Sequence, residues 1–324
     1  MLKVSLCSHE KPAVRHSRRK GQFSVNELSN AVVIGAGTMG SGIAQTLAVA
    51  GLRVNLYDVN QEATERAKAT IEKSLAKLSS KGKLAEDVVA AALQRIIPTT
   101  DLDCTGEADM AIEVIIENLE AKRELFKKLD EGCPEHTLLL TNTSSLSVTD
   151  MANAASPERR TRIAGMHFFN PVPVMKLVEV VRTPFTSDET FQAVWALAEK
   201  CGKSPVEAKD TPGFLFNRLI LPYLNEAMWA VFEGVGRIED IDKAMLLGGN
   251  MPIGPLALAD LVGLDICLHA ITAIRDETGE PKYRPCPLNR QMVRAGYLGR
   301  KSGIGFYDYR TEDKRAIDLS VFKF

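Results

Sequence analysis

From residue 31 onward the chain alternates short apolar runs with longer amphipathic segments. Residues 31–34 and the runs "LRVNLYD", "ADMAIEVII" and "HTLLLT" are typical of buried strands. Between them lie residues 68–78 and "LEAKRELFKKLD", whose apolar positions recur at helical spacing. This alternation predicts right-handed crossovers and a mostly parallel sheet with helices on its faces, as in a Rossmann-type α/β domain.

The pattern changes at the turn sequence "DTPG" of residues 210–213, after which strand-like runs disappear. Residues 214–231 are apolar on almost every face, but Asn217, Arg218 and Pro222 interrupt them, so a membrane span is not expected. A helix that is apolar all round must be buried, and in a small domain this favours burial against a second subunit. We therefore expect a homodimer and four segments: an extension (1–30), an α/β domain (31–210), a smaller all-α domain (211–310) and a C-terminal tail (311–324).

Composition adds limits on partners and compartment. The 324 residues are 45% hydrophobic and 25% charged, as in an ordinary two-domain protein. The net charge of -1 gives no general attraction to nucleic acid or to an anionic membrane, so neither is expected as a partner. Six cysteines without CxxC pairs favour reduced thiols in a cytosol-like compartment, and no metal site is indicated.

Residues 1–30 differ from the rest because they are basic and lack periodicity. Their apolar pieces are too short for a secretory signal, and we expect a disordered extension and a cytoplasmic protein. The alternative is a mitochondrial transit peptide, which would place the protein in the matrix, although the segment has no convincing amphipathic face.

The first crossover carries a dinucleotide fingerprint, Gly35-Ala36-Gly37-Thr38-Met39-Gly40. The first glycine permits a tight turn, the second lets backbone amides approach a pyrophosphate, and the third lets the helix pack on the strand. Asp58 ends the next strand at the spacing that the fingerprint requires, where a carboxylate accepts hydrogen bonds from the ribose of NAD and repels the phosphate of NADP. NAD is the expected cofactor. The alternative for Asp58 is a cap on the following helix.

The segment "GMHFFNPVPVMKLVEVV" sets His167 and Glu179 in apolar surroundings. Oxidation of a secondary alcohol needs a base for the hydroxyl proton, and the ordinary pKa of imidazole suits that task near neutral pH. A carboxylate at Glu179 could fix the histidine tautomer. The alternatives are a core histidine and an outward-facing strand residue.

Two further groups are candidates for substrate binding. Ser144 follows a strand at the carboxyl edge of the sheet, where open α/β folds bind ligands, and Asn217 lies at the start of the helical domain. Their alternatives are a helix cap and a solvated helix residue. Lys73, Lys77 and Lys81 recur every four residues on one helix face, and an anionic ligand would relieve the repulsion between their charges. The alternative is a solvated lysine face.

Taken together, the motifs resemble the L-3-hydroxyacyl-CoA dehydrogenase family in its single-function form. The matching segments follow one another over about residues 31–309: "GAGTMGSGIAQ", "IENLEAKRELFKKL", "TNTSSL", "GMHFFNPVPVMKLVEVV", "KDTPGFLFNRLILPYLNEA", "GGNMPIGPLALADLVGLD" and "RKSGIGFYDY". The resemblance implies NAD-dependent interconversion of 3-hydroxyacyl-CoA and 3-oxoacyl-CoA. Two rivals remain: a sugar-acid dehydrogenase of the λ-crystallin and L-gulonate type, which departs from the segment beside the histidine, and a non-catalytic NAD-binding protein.

The resemblance also implies a role for each matching residue. It assigns His167 and Glu179 as the catalytic pair, with Ser144 and Asn217 bonding the substrate oxygen or the nicotinamide end. The remaining assignments are Asn170 at the same pocket, Ser74 and Lys81 at the CoA moiety, and Glu117, Lys122 and Lys301 at the dinucleotide. By pattern alone, the last three are ordinary surface charges.

Overall fold

The computed structural model describes residues 28–313 and 315–322. Nearly all of the predicted extension therefore lies outside the described residues, including Cys7. One sheet of eight strands, in the order β3-β2-β1-β4-β5-β6-β7-β8, organises the first domain. The strands are β1 (Asn30–Ile34), β2 (Arg53–Tyr57), β3 (Ile96–Thr99), β4 (Met110–Glu113), β5 (Leu138–Thr141), β6 (Ile163–Phe168), β7 (Leu177–Arg182) and β8 (Ser204–Lys209).

Strand β1 lies in the middle of this sheet with both faces buried. Ala31 and Val33 belong to the core on one face, and Val32 and Ile34 to the core on the other. This explains why the run is apolar at every position. β1 pairs in parallel with β2 and with β4, so the strand order reverses between β1 and β4, which confirms the predicted Rossmann-type domain.

Helices cover both faces of the sheet. Helices α1, α2, α3 and α7 pack on the face of Ala31 and Val33, and α4 and α5 pack on the opposite face. The helices of the first domain are α1 (Thr38–Val49), α2 (Gln61–Ser80), α3 (Glu86–Arg95), α4 (Leu119–Gly132), α5 (Val148–Ala152), α6 (Pro157–Arg160) and α7 (Asp188–Lys200).

Strand β7 departs from the parallel pattern because it runs antiparallel to β6. The hairpin sets His167 directly opposite Glu179 in the strand register. Side chains that are directly opposite in an antiparallel pair point to the same face and lie within contact distance. The backbone therefore brings together two residues that are twelve positions apart in sequence.

The second domain is helical and has a core of its own. Beyond Lys209, the described residues contain isolated β-bridges but no strand. The helices are α8 (Phe216–Phe232), α9 (Ile238–Leu247), α10 (Pro255–Val262), α11 (Leu264–Thr278) and α12 (Pro287–Arg294). In the described residues no single helix is long and apolar enough to cross a membrane; α10 and α11 reach that length and composition only as a pair, bent by 94°.

A buried carboxylate holds the C-terminal segment to this domain. Asp260 accepts hydrogen bonds from the backbone N–H groups of Phe306 and Tyr307 and from the hydroxyl of Tyr309. Burial raises the pKa of Asp260 to about 6, although these hydrogen bonds act in the opposite direction. Residues 315–322, in the predicted tail, continue the segment, with Ile317, Leu319 and Phe322 packed against the helical core.

Several predicted boundaries move in the structure. β2 ends at Tyr57, one residue before Asp58, and α2 begins well before residue 68, at Gln61, and ends shortly after residue 78, at Ser80. The sequence analysis missed α3 and β3. Helix α8 starts at Phe216 because the chain first turns through Phe214, which has a positive φ of 48°.

Candidate functional site

The glycine loop between β1 and α1 is shaped for close approach of a phosphate. Gly35 has a φ of 113°, and a Cβ there would lie 2.6 Å from the carbonyl oxygen of Val114. A Cβ on Gly40 would collide with the carbonyl oxygen of Gly35, whereas one on Gly37 meets no atom within 4 Å. Gly37 is also the N-cap of α1 and leaves its amides without a side-chain cap. The loop therefore fits a pyrophosphate at the helix N-terminus.

Asp58 lies beside this loop. Its Oδ2 accepts a hydrogen bond of 2.8 Å from the N–H of Ala36, and its Oδ1 one of 3.0 Å from the N–H of Asn60. The cap of α2 is Asn60, whose side chain accepts from the N–H of Glu62. The helix-cap alternative for Asp58 is therefore wrong, and its carboxylate lies next to the loop where a ribose follows the pyrophosphate.

His167 and Glu179 form a buried pair. Nδ1 of His167 lies 2.7 Å from Oε2 of Glu179, and Glu179 is completely buried, so the outward-facing alternative is wrong. Oε1 of Glu179 accepts hydrogen bonds of 2.9 and 2.7 Å from the N–H groups of Leu215 and Phe216. The carboxylate therefore joins the histidine to the start of α8. Within the described residues, Nε2 of His167 has no hydrogen-bond partner.

Aromatic side chains surround the imidazole. The rings of Phe169 and Phe214 lie 4.6 and 5.8 Å from that of His167, and Phe216 packs edge-on against Phe169 at 5.0 Å. Phe214 holds its place through its positive φ, a conformation that costs energy outside glycine. These rings limit the access of water to the imidazole. Nε2 is then its ring nitrogen without a hydrogen-bond partner in the described residues.

Ser144 and Asn217 meet across the two domains. Nδ2 of Asn217 donates a hydrogen bond of 3.2 Å to the carbonyl oxygen of Ser144. The N-cap of α5 is Ser147, so the helix-cap alternative for Ser144 is wrong. Asn170 is exposed in the β6–β7 connection, next to a cis Asn170–Pro171 bond.

Glu117 and Lys122 take part in a network of charges. The Lys122 side chain is 1% exposed, and its ammonium lies 2.5 Å from Glu113 and 3.4 Å from Glu117, so it is not a surface charge. Burial raises the pKa of Glu117, but Lys122 and the hydrogen bonds from Thr143, Ser144 and Ser145 outweigh burial, and the net pKa is lowered. Sequence analysis missed Glu113, although an acid ending an apolar strand was a signal.

The other predicted site residues lie apart from this group. Lys73 and Lys77 are exposed on α2, Ser74 is half-buried beside them, and exposed Lys81 caps the C-terminus of the helix. In residues 28–313 and 315–322, none of the three lysines forms an ion pair. Lys301 pairs at 2.6 Å with Asp265 of the helical domain, with no hydrogen bond or ion pair to the glycine loop.

Comparison with known proteins decides the family. Residues 30–211 match the NAD binding domain of 3-hydroxyacyl-CoA dehydrogenase, and residues 213–309 match the C-terminal domain of the same family. The chain belongs to the 3-hydroxyacyl-CoA dehydrogenase family. The predicted resemblance is thereby confirmed.

Individual relatives agree with this assignment. A probable 3-hydroxybutyryl-CoA dehydrogenase of Bacillus subtilis is 53% identical over 87% of this chain and 98% of its own. The human mitochondrial hydroxyacyl-coenzyme A dehydrogenase is 43% identical over 87% of this chain and 92% of its own. The crystal structure of (S)-3-hydroxybutyryl-CoA dehydrogenase from Ralstonia eutropha superposes with a TM-score of 0.84 at 46% identity, over 87% and 99% of the two chains.

The glycine loop gives a prediction that separates folding from cofactor binding. Gly37→Ala should leave the melting temperature within about 2 °C of the parent, because the new methyl group meets no atom of the protein. The same methyl group would occupy space beside the pyrophosphate, so the Kd for NADH should rise at least about tenfold. Fluorescence titration measures the Kd. Gly40→Ala is the contrasting variant and should unfold at a clearly lower temperature; unchanged NADH binding in Gly37→Ala would contradict the proposed cradle.

Proposed function

We propose that this protein is an NAD-dependent L-3-hydroxyacyl-CoA dehydrogenase that reversibly converts a 3-hydroxyacyl-CoA to the 3-oxoacyl-CoA. The observation that carries the proposal is the His167–Glu179 pair, with its hydrogen bond of 2.7 Å, beside a loop that fits NAD. Family membership supports the same reaction and cofactor. The names of the relatives favour a short acyl chain such as hydroxybutyryl.

We propose that Nε2 of His167 transfers the proton, which the position of Glu179 on the other side of the ring supports. A carboxylate can only accept, so in the neutral imidazole this contact favours the tautomer with the proton on Nδ1, whose Nε2 can accept the proton of the substrate hydroxyl. Bound NAD supplies the acceptor for the hydride that leaves the same carbon. The imidazolium that forms is stabilised by the adjacent carboxylate, and in the reverse direction Nε2 returns the proton.

Ser144 and Asn217 are proposed to orient the substrate oxygen. The 3.2 Å hydrogen bond between them connects the strand β5 loop to α8, so the two polar groups close the site from opposite domains. Glu117 accepts the N–H of Ser144 and helps to hold this loop. We propose that Asn170 borders the same pocket and that Glu117 contacts the dinucleotide; Lys122, whose side chain is 1% exposed, would act on the dinucleotide through its ion pair with Glu117. The proposed contact of Lys301 with the dinucleotide would require it to exchange its partner Asp265.

Contact with the CoA moiety is proposed for Ser74 and Lys81. Exposed Lys73, Lys77 and Lys81 present positive charge without a carboxylate partner in the described residues, which suits the phosphates of CoA. The alternative is a solvated lysine face, and a binding measurement distinguishes the two.

Neither rival function accounts for these observations as well. A sugar-acid dehydrogenase would share the fold, but the family match extends across both domains. A non-catalytic NAD-binding protein would have no use for a buried carboxylate that fixes a histidine with a free Nε2.

We also propose a homodimer formed through the helical domain. Helix α8 leaves Leu219 67% exposed, and exposed apolar side chains on α9 and α10 include Leu247 at 75% and Leu261 at 52%. Apolar exposure of this extent on one domain favours an interface. A light-scattering mass equal to one chain at micromolar concentration would contradict the dimer.

The free cysteines of the described residues suit the proposed cytoplasmic location, with the mitochondrial matrix as the alternative. We retain 210–211 as the proposed domain boundary, just after β8 ends at Lys209.

The central test is an absorbance assay with acetoacetyl-CoA. The protein should oxidise NADH with a kcat/KM at least about tenfold above that for NADPH, because a phosphate facing the Asp58 carboxylate costs about 1.4 kcal/mol or more. Lack of turnover with 3-oxoacyl-CoA substrates of 4 to 16 carbons would sink the proposed reaction. Equal use of both cofactors would sink only the role of Asp58.

The catalytic pair is tested by three variants. His167→Gln should lower kcat by about 10²–10⁴-fold with NADH binding intact, because the proton acceptor is lost. Glu179→Gln keeps an oxygen for the N–H groups of Leu215 and Phe216 but forfeits the charge, and kcat should fall by a comparable factor. The double variant should be little worse than the worse single variant. Losses that multiply would mean that the two residues act independently.

Lys81→Glu tests the CoA contact. The KM for acetoacetyl-CoA should rise several-fold while the KM for NADH and the melting temperature stay near the parent values, since the lysine is exposed and remote from the cofactor loop. Lys128→Glu, a similar change of an exposed lysine on α4, is the matched control and should leave both KM values unchanged. If the two variants behave alike, Lys81 belongs to a solvated face.

A further inference from the structure

Glu113 is a fully buried acid at the carboxyl end of β4, and no step of the proposed reaction uses it. In the sheet it lies between Ile34 of β1 and Thr141 of β5. Its Oε1 accepts hydrogen bonds of 2.5 Å from the Lys122 ammonium and 2.7 Å from the N–H of Ile115, and its Oε2 one of 2.7 Å from the hydroxyl of Thr141. An acid buried this deeply needs such partners to stay charged.

Lys122 is shared between two carboxylates. Its ammonium lies 2.5 Å from Glu113 and 3.4 Å from Glu117, and we name these three residues the Glu113 triad. Among residues 28–313 and 315–322, no other cation forms an ion pair with either carboxylate. Two carboxylates and one ammonium leave the triad with a net charge of -1, most of it away from solvent.

The triad lies on the nicotinamide side of the cofactor site. The strand order reverses between β1 and β4, and Asp58 marks the adenosine side, after β2. The chain just after Glu113 packs against the first glycine of the loop, since a Cβ on Gly35 would lie 2.6 Å from the Val114 carbonyl oxygen. At the other end, Glu117 accepts the N–H of Ser144 at 3.1 Å. The triad thus spans from the pyrophosphate loop to the substrate side of the site.

The oxidised nicotinamide ring carries a positive charge that the reduced ring lacks. We propose that Glu113 is a positioning residue whose triad, through its net negative charge, biases the cofactor site toward oxidised NAD over NADH. Lys122 connects Glu113 to Glu117 by pairing with both carboxylates, and hydrogen bonds from Thr141 and Ile115 hold Glu113 in place. This inference rests on the proposed function, because it presumes that the site binds NAD. A unit charge near a cation, partly screened as in a protein site, changes the affinity for that cation about three- to tenfold.

The test is the ratio of two dissociation constants on the purified protein without substrate. NADH is titrated by its fluorescence, and NAD by competition against NADH. In Glu113→Gln the side chain keeps its size and loses its charge, so the ratio Kd(NAD)/Kd(NADH) should rise about three- to tenfold. A ratio within a factor of about 1.5 of the parent in the folded variant would overturn the proposal.

Two control variants separate charge from packing. Thr141→Val removes a hydrogen bond to Glu113 but no charge, and the ratio should stay at the parent value. Asp130→Asn removes a carboxylate from the Asp130–Arg159 pair elsewhere in the same domain, with the same expectation. A shift in Thr141→Val as large as that in Glu113→Gln would assign the effect to packing and overturn the role of charge.

A further variant covers the case in which Glu113→Gln does not fold. Glu117→Gln changes the net charge of the triad equally at its less buried end and must move the ratio in the same direction; an unchanged ratio there overturns the proposal. Failure of the parent protein to bind either cofactor would instead refute the proposed function, so the two failures are distinguishable.

Discussion

The site depends on the hydrogen bonds that the Glu179 carboxylate accepts. One oxygen bonds the imidazole of His167 on β6, and the other receives the first free N–H groups at the start of α8. The bond to the histidine is buried and the other two are part-buried, and an unmatched polar group in such surroundings costs more than it would in water. The same side chain therefore sets the histidine and fixes where the helical domain begins.

The sheet provides the frame for that interaction. Parallel strands β1, β4 and β5 end at one edge, which gathers the glycine loop, Glu113 and the Ser144 loop. The antiparallel hairpin of β6 and β7 then presents His167 and Glu179 across from one another. Electrostatics on the two sides of the site differ: a neutral loop with uncapped helix amides suits a phosphate, whereas carboxylates line the side proposed for the nicotinamide.

The parts predicted from sequence are those with local causes. A fully apolar run in a parallel sheet and a glycine loop with Asp58 at fixed spacing are determined within about thirty residues, so β1, α1 and the cofactor could be predicted. Burial of Glu179 and Lys122 could not, because an acid between valines suits either face of a strand until its partner is known. Ser147, three residues after Ser144, caps α5 by accepting the N–H of Asp150, and its hydroxyl also donates to Asp210, which is sixty-three residues away. Long-range pairing of this kind leaves little trace in one sequence.

The positive φ of Phe214 has a consequence for building chimeric enzymes. The turn at Gly213 and Phe214 aims the N–H groups of Leu215 and Phe216 at Glu179, while the ring of Phe214 touches the histidine. A helical domain transplanted from a relative would bring its own substrate surface, but a graft joined after this turn would keep the parent geometry at His167. In a graft joined before it, the donor sequence would set the geometry at His167, the proposed base. The junction of a chimera that preserves this geometry therefore lies after Phe216, inside the first turn of α8, and not at the boundary between the domains.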